Sequence, residues 1–184
     1  MSFWIALTIF LLLAVYAIAV FNGLVAKRNR VKNAWAQIDV QLKRRHDLIP
    51  NLVNAVKGYL QQERDVLENV TRARQQAIAA GSDVNARAAA ENILTQAMRS
   101  LFAVAEAYPE LKSNQNMLAL QEELSSTENR VAFARQFYND AVMEYNTARE
   151  AFPGNFFANT FSFVPESLFV LEDPAERSVP KVQF

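Results

Sequence analysis

Residues 117–152 read MLALQEELSSTENRVAFARQFYNDAVMEYNTAREAF. Met117, Leu120, Leu124, Thr127, Val131, Ala134, Tyr138, Ala141, Tyr145, Ala148 and Phe152 recur there every three or four positions without a break. Residues so spaced share one face of a helix, so the row predicts a long helix with a buried seam. Working outward, Ala90, Leu94, Ala97, Leu101, Val104 and Tyr108 form a second row. Val31, Trp35, Ile38 and Leu42 form a third, and Val53, Val56, Leu60, Leu67 and Val70 follow Pro50. Many row positions are alanine, which lets helix axes approach closely. Only four glycines occur in 184 residues, which suits long helices with short joints better than a turn-rich β fold. The expected class is all-α.

Punctuation divides the pattern. Gly81-Ser82-Asp83 offers a glycine to end one helix and candidate caps for the next. Tyr108-Pro109 ends another, Ser113 or Asn114 caps its successor, and Pro153-Gly154 stops the last. Pro50 is ambiguous, because a proline either kinks a helix or stands in its first turn. One rod over 27–80 would be roughly 80 Å long, too long for the helices that must return beside it. A reversal near Asp47–Pro50 gives an antiparallel up-down four-helix bundle, with helices near 27–46, 50–80, 84–107 and 113–152. A first helix merely kinked at Pro50 is the alternative. In such a bundle the first and fourth helices are neighbours, and one register pairs Arg28 with Glu144, Lys32 with Asp140 and Arg44 with Glu128. An irregular tail over 153–184 follows, rich in phenylalanine at Phe156, Phe157, Phe161, Phe163 and Phe169. It covers the end of the bundle, enters the bilayer interface, or packs on a neighbouring subunit.

The N-terminus has a different character. No charged side chain occurs from Met1 to Ala26, and Phe3–Phe21, FWIALTIFLLLAVYAIAVF, is almost wholly apolar. About 20 helical residues cross a hydrocarbon core of about 30 Å, so residues 1–26 read as a transmembrane anchor. A cleaved signal peptide is the competing reading, since Ala17-Ile18-Ala19 has the small-x-small form. No Lys or Arg precedes the apolar run, and the run continues past Ala19, so an uncleaved anchor is expected. Lys27, Arg28, Arg30 and Lys32 follow the span directly. The excess of positive charge on that side predicts the N-terminus out and the domain in the cytoplasm, with the basic cluster against anionic headgroups of the inner membrane.

Chemistry is scarce. With no cysteine, disulfides, thiolate metal sites and cysteine nucleophiles are excluded. His46 is the one histidine and Lys43 stands three residues before it, so the Glu-x-x-His pattern of di-iron bundles is absent. His46 therefore reads as a surface or turn residue. The glycines are isolated, so no phosphate-binding loop is present. Glu63 interrupts an apolar row and Arg45 extends one; both read first as structural charges. Glu122, Glu123 and Glu128 read as a charged helix face. Nineteen basic residues balance nineteen acidic ones. The basic stretch from Lys27 to Arg45 lacks interleaved exposed aromatics, so no nucleic acid is expected as a partner. Neither metal nor cofactor is expected, and no catalytic residue stands out.

The stretch FNGLVAKRNRVKNAWAQIDVQLKRRHDLIPNLVNAVKGYLQQERDVLENVTRAR, residues 21–74, resembles the signature region of the LemA family of bacterial membrane proteins. The A-W-A-Q-I-D-V-Q-L-K-R-R core, L-I-P-N-L-V and V-K-G-Y carry the likeness, which extends to the N-terminal anchor and the aromatic C-terminus. The resemblance implies an antiparallel helical bundle behind one membrane helix, and no established enzymatic role. It also implies a link with membrane and envelope organisation. Trp35, Asp39, Arg44, Arg45, Pro50, Asn51 and Tyr59 match the motif positions and read as fold or interface residues.

Two functions follow. One is a membrane-anchored, self-associating scaffold, with Trp35, Phe156, Phe157, Phe161 and Phe163 as interface candidates. The other is a membrane-tethered module binding a small ligand or a protein partner near Glu63 and Arg45. An enzyme is not expected.

Overall fold

A computed structural model describes residues 1–170. No strand occurs among the described residues. The elements are α1 (Ser2–Lys57), α2 (Arg64–Ala79), α3 (Val84–Ala105), α4 (Pro109–Lys112), α5 (Gln115–Glu150) and α6 (Gly154–Thr160). The chain divides into two compact units: Met1–Ile38 with Ala134–Ser167, and Asp39–Phe133 with Leu168–Val170.

The first unit holds the apolar half of α1. Its Ser2–Lys57 helix has one window long and apolar enough to cross a membrane, and none of that window is buried by protein. A soluble core helix would be covered, so burial against protein does not account for this composition. Beyond the apolar run, α1 buries Leu24, Val31, Ala34 and Ile38, and α5 buries Ala134, Tyr138, Ala141, Val142 and Tyr145. The two helices are antiparallel here. Lys27 and Arg30 meet Glu144, while Trp35, further along α1, meets Tyr138, earlier in α5.

After α5 the chain folds back on itself. Gly154 is buried, and a Cβ there would collide with the Ala148 carbonyl oxygen, so only glycine permits this approach. The segment after α6 is strapped to α5 by side chains. Tyr145 Oη donates to Val164 O at 2.8 Å, and Tyr138 Oη donates to Ser167 O at 2.9 Å. Asn146 donates to Glu166 O and accepts from Glu166 N, at 2.9 and 3.1 Å. The expectation of an irregular tail from residue 153 is thereby corrected, because Gly154–Thr160 is helical. The remainder of that expected tail, 171–184, lies outside the described residues.

The second unit has its own core. Ile49, Leu52 and Val56 of α1, Leu67 and Val70 of α2, Leu94, Met98 and Leu101 of α3, Leu111 of α4, and Met117 and Leu124 of α5 form one buried cluster. The reversal expected at Asp47–Pro50 does not occur: α1 runs through Pro50 to Lys57, and the chain turns over 58–63 instead. A proline inside a helix lacks the N–H for the carbonyl four residues back, at a cost of about 3 kcal/mol. Here that carbonyl belongs to His46, and it accepts a 2.7 Å bond from Arg74 Nε of α2. Ile49, Leu52 and Val56 are also almost fully buried. Each such side chain contributes about 1.5–3 kcal/mol, which outweighs the remaining cost.

The other joints match their sequence signals. Gly81 adopts φ +66° just beyond α2, and Asp83 caps α3 by accepting from Ala86 N at 2.6 Å. Asn114 Oδ1 accepts from Asn116 N and Met117 N, capping α5.

Candidate functional site

In the first unit the basic flank of the span is built onto α5. Arg30 Nη1 lies 2.9 Å from Glu144 Oε2, and Lys27 Nζ lies 3.6 Å from the same oxygen. Arg28 takes a different partner: its guanidinium stacks over the Phe163 ring, 4.9 Å from the centroid. Lys32 is exposed. The expected pairing of Arg28 with Glu144 is therefore corrected to Lys27, one residue before it, and Arg30, two after. The physical reason is that Arg28 faces Phe163, leaving its neighbours on the Glu144 side.

The aromatic candidates separate into two groups. Phe163 is buried and Trp35 half-buried, the latter with its ring 5.4 Å from Tyr138. Phe161 and Phe163 both meet Phe21, at 4.9 and 5.7 Å between centroids. Phe156 and Phe157 meet edge to face at 5.7 Å, with Phe156 largely exposed and Phe157 half-covered. Burial, and then the negative charge of Glu166, push the Tyr138 phenol up to about 12. Tyr145 is raised for the same two reasons, against the opposing influence of Arg28 and Arg149.

The second unit carries a buried charge cluster. Glu91 of α3 is fully buried, with Oε2 at 3.2 Å from Arg45 Nη1 and Oε1 at 2.7 Å from His46 Nε2. Arg45 Nη2 donates to Thr95 Oγ1 at 2.9 Å and to Glu128 Oε1 at 3.1 Å. Beside it, Arg87 Nη2 reaches Asp39 Oδ1 at 2.6 Å, and its Nη1 donates to Gly81 O at 2.7 Å. Arg44 pairs with Glu123 at 2.7 Å, not with Glu128 as expected, because Arg45 occupies Glu128. His46 is buried, correcting its placement on a surface or in a turn; with α1 continuous through Pro50 there is no turn there to hold it. Glu63 stands at the N-cap position of α2. The carboxylates that do engage Arg45 are Glu91 and Glu128.

Sequence reading did not find Glu91, Arg87 or Arg74, and it singled out Asp39 only as a motif position, without its partner. A signal existed for two of them. Arg87 and Glu91 lie on the buried row that continues through Leu94, Met98 and Leu101. Charges on such a row require partners, because an unpaired buried charge is prohibitively costly. The chemistry open to the cluster is ion pairing. Among the described residues no group of three His, Asp or Glu side chains is placed to hold a metal ion.

A model of the LemA family matches residues 34–184, most of the chain. The chain belongs to the LemA family. Arg44, Arg45, Pro50 and the Asp39–Arg87 bridge thus fall within the matched residues. Two relatives, the magnetosome proteins MamQ 2 and MamQ 1 of Paramagnetospirillum magneticum, are each 24% identical to it over 180 residues. The match takes in 84% of this chain and 66% of each relative, so the chain spans about two thirds of their length.

Proposed function

We propose that this LemA-family chain is a membrane-anchored, non-enzymatic scaffold of the bacterial inner membrane. It self-associates laterally and organises the membrane or the proteins within it. Its N-terminus faces out, and its soluble helices form an up-down bundle in the cytoplasm. The observation that carries the reading is the continuity of α1. An unburied apolar segment passes, without a joint, into helices whose interior charges are engaged with one another. Phe133 on α5 is 74% exposed, four residues before the partly exposed Phe137, which supports association through that face. The matched relatives are named as magnetosome proteins, which is in keeping with a role at a membrane.

A second reading has one observation behind it. An open cleft of about 890 Å³ lies at the α1–α2 turn, among Asn54, Lys57, Gln61, Arg64 and Leu67. Such a cleft suits a membrane-tethered module that binds a small ligand or a peptide. The mass of the full-length chain in mild detergent separates the two. A scaffold runs as a large homo-oligomer, and replacing Phe133 with Ser lowers its size. A monomer or dimer indifferent to that change favours the binding module.

A further inference from the structure

We infer that the aromatic segment around α6 is a second membrane contact, lying in the headgroup layer beside the end of the α1 span. The inference rests on the reading of α1 as a span. Phe21 closes the apolar run that begins at Phe3, eighteen residues earlier. At about 1.5 Å per residue these are separated by roughly 27 Å, close to the thickness of a hydrocarbon core. Phe21 therefore stands at the boundary between acyl chains and headgroups. Phe161 and Phe163 touch its ring, which fixes their depth at the same boundary.

The segment they belong to is made for that layer. Residues 151–165, AFPGNFFANTFSFVP, contain no charged side chain, although Glu150 and Glu166 flank them. Phe152, Phe156 and Phe161 are exposed, at 86, 64 and 54%, within one stretch of ten residues. The exposed polar groups among them, Asn155, Asn159, Thr160 and Ser162, are neutral. α6 has seven residues and is about 10 Å long, so Phe156 lies within roughly 8 Å of Phe161 along its axis. Amphipathic segments of this kind settle about 5–10 Å into the headgroup and acyl boundary. The fold holds the segment there. Gly154 sets α6 close against the end of α5, the Tyr145–Val164 bond ties down its exit, and buried Phe163 anchors it against Phe21 and Arg28. Continuity with the span selects lipid over a second copy of the chain as the occupant, since the exposed rings adjoin a surface already in contact with acyl chains.

The chain has no cysteine, so single nitroxide labels report depth cleanly. The full-length protein is labelled at Ala14→Cys, Phe152→Cys, Phe156→Cys or the exposed Lys112→Cys, then reconstituted in vesicles of phosphatidylcholine and phosphatidylglycerol. Oxygen, which partitions into lipid, and a water-soluble nickel chelate compete to relax each label. At 152 and 156 the oxygen-to-nickel ratio is expected severalfold above that at 112 and below that at 14. A lipid signal at 14 with water-like values at 152 and 156 overturns the inference and leaves the anchor standing. Labels at 152 and 156 shielded from both reagents mean that protein covers the rings, which also overturns it. A water-like label at 14 removes the anchor and the inference together.

Discussion

Pro50 and Arg74 form a matched pair, because one removes a backbone donor and the other supplies a replacement to the His46 carbonyl. Arg74→Ala should cost about 1–3 kcal/mol, the range for a buried acceptor left unpaired. In a Pro50→Ala background the restored N–H serves the carbonyl, so the same change should cost measurably less. Urea melts of the four proteins test this, and equal costs in both backgrounds would falsify the account. Glu91 is more exacting, since it alone faces both Arg45 and His46 from a fully buried position. Glu91→Ala should lose about 3–5 kcal/mol, whereas Glu123→Ala, which removes the partner of the half-exposed Arg44, should lose less than about 1. Comparable losses would mean that burial does not set the strength of these pairs. Tyr138 adds a pH dependence. Its phenol is raised from an ordinary value near 10 to about 12, first by burial and then by Glu166, so the folded state holds this proton more tightly than the unfolded chain. That contribution is whole below about pH 10 and is lost as pH rises toward 12. Tyr138→Phe should flatten the fall in stability over that window, as followed by melting at successive pH values.

At the scale of elements, the helical class was legible because a long 3-4 row can be satisfied in no other way. Met117, Leu124, Thr127, Val131, Ala134, Tyr138, Ala141 and Tyr145 are all buried as the row predicts. Phe152, the last member, is exposed, because α5 ends at Glu150. The misplaced joint at Pro50 has an equally specific cause. Ile38, Leu42, Arg45, Ile49, Leu52 and Val56 keep the three-and-four rhythm straight across the proline. Starting a new row after Pro50 concealed that continuity, and the compensating Arg74 is 24 residues further on, beyond any local pattern. The charge cluster was hidden for a related reason. The α3 row of Ala90, Leu94, Ala97 and Leu101 passes over Arg87 and Glu91 on the same buried face, and Glu91 finds its partners only once α1 lies against it. The antiparallel α1–α5 pairing within the first unit can be tested directly. Trp35 against Tyr138 and Lys27 and Arg30 around Glu144 bring Ile38 level with Ala134, both buried. Ile38→Cys with Ala134→Cys should oxidise to an intramolecular disulfide, which needs Cα atoms about 4.4–6.8 Å apart. Ile38→Cys with the outward-facing Gln136→Cys should not. Closure of the control alone, or of neither pair, would place the helices in another register.

For the whole molecule the decisive quantity is the direction in which α1 enters the membrane. The folded protein gives a misleading impression of the charge at that boundary, since Glu144 partly neutralises Lys27 and Arg30. Insertion is decided earlier. Glu144 follows Arg30 by 114 residues, and chains grow at about 5–20 residues per second, so the span can enter the bilayer before that carboxylate exists. Acidic residues also weigh little in setting orientation, whereas Lys and Arg close to the span weigh heavily. Lys27, Arg28, Arg30 and Lys32 therefore act unopposed by any Lys or Arg among residues 1–26. A reporter active only in the cytoplasm, fused after Phe184, should be active, and one active only in the periplasm should be silent. Changing all four basic residues to Gln while inserting three Lys directly after Met1 should reduce or invert the bias. Periplasmic activity of the unmodified fusion would reverse the assignment and place every soluble helix, with the basic flank of the span, on the outer face. Indifference of the unmodified orientation to the charge exchange would show instead that the folding of the helices behind the span, not its flanking charge, sets the direction.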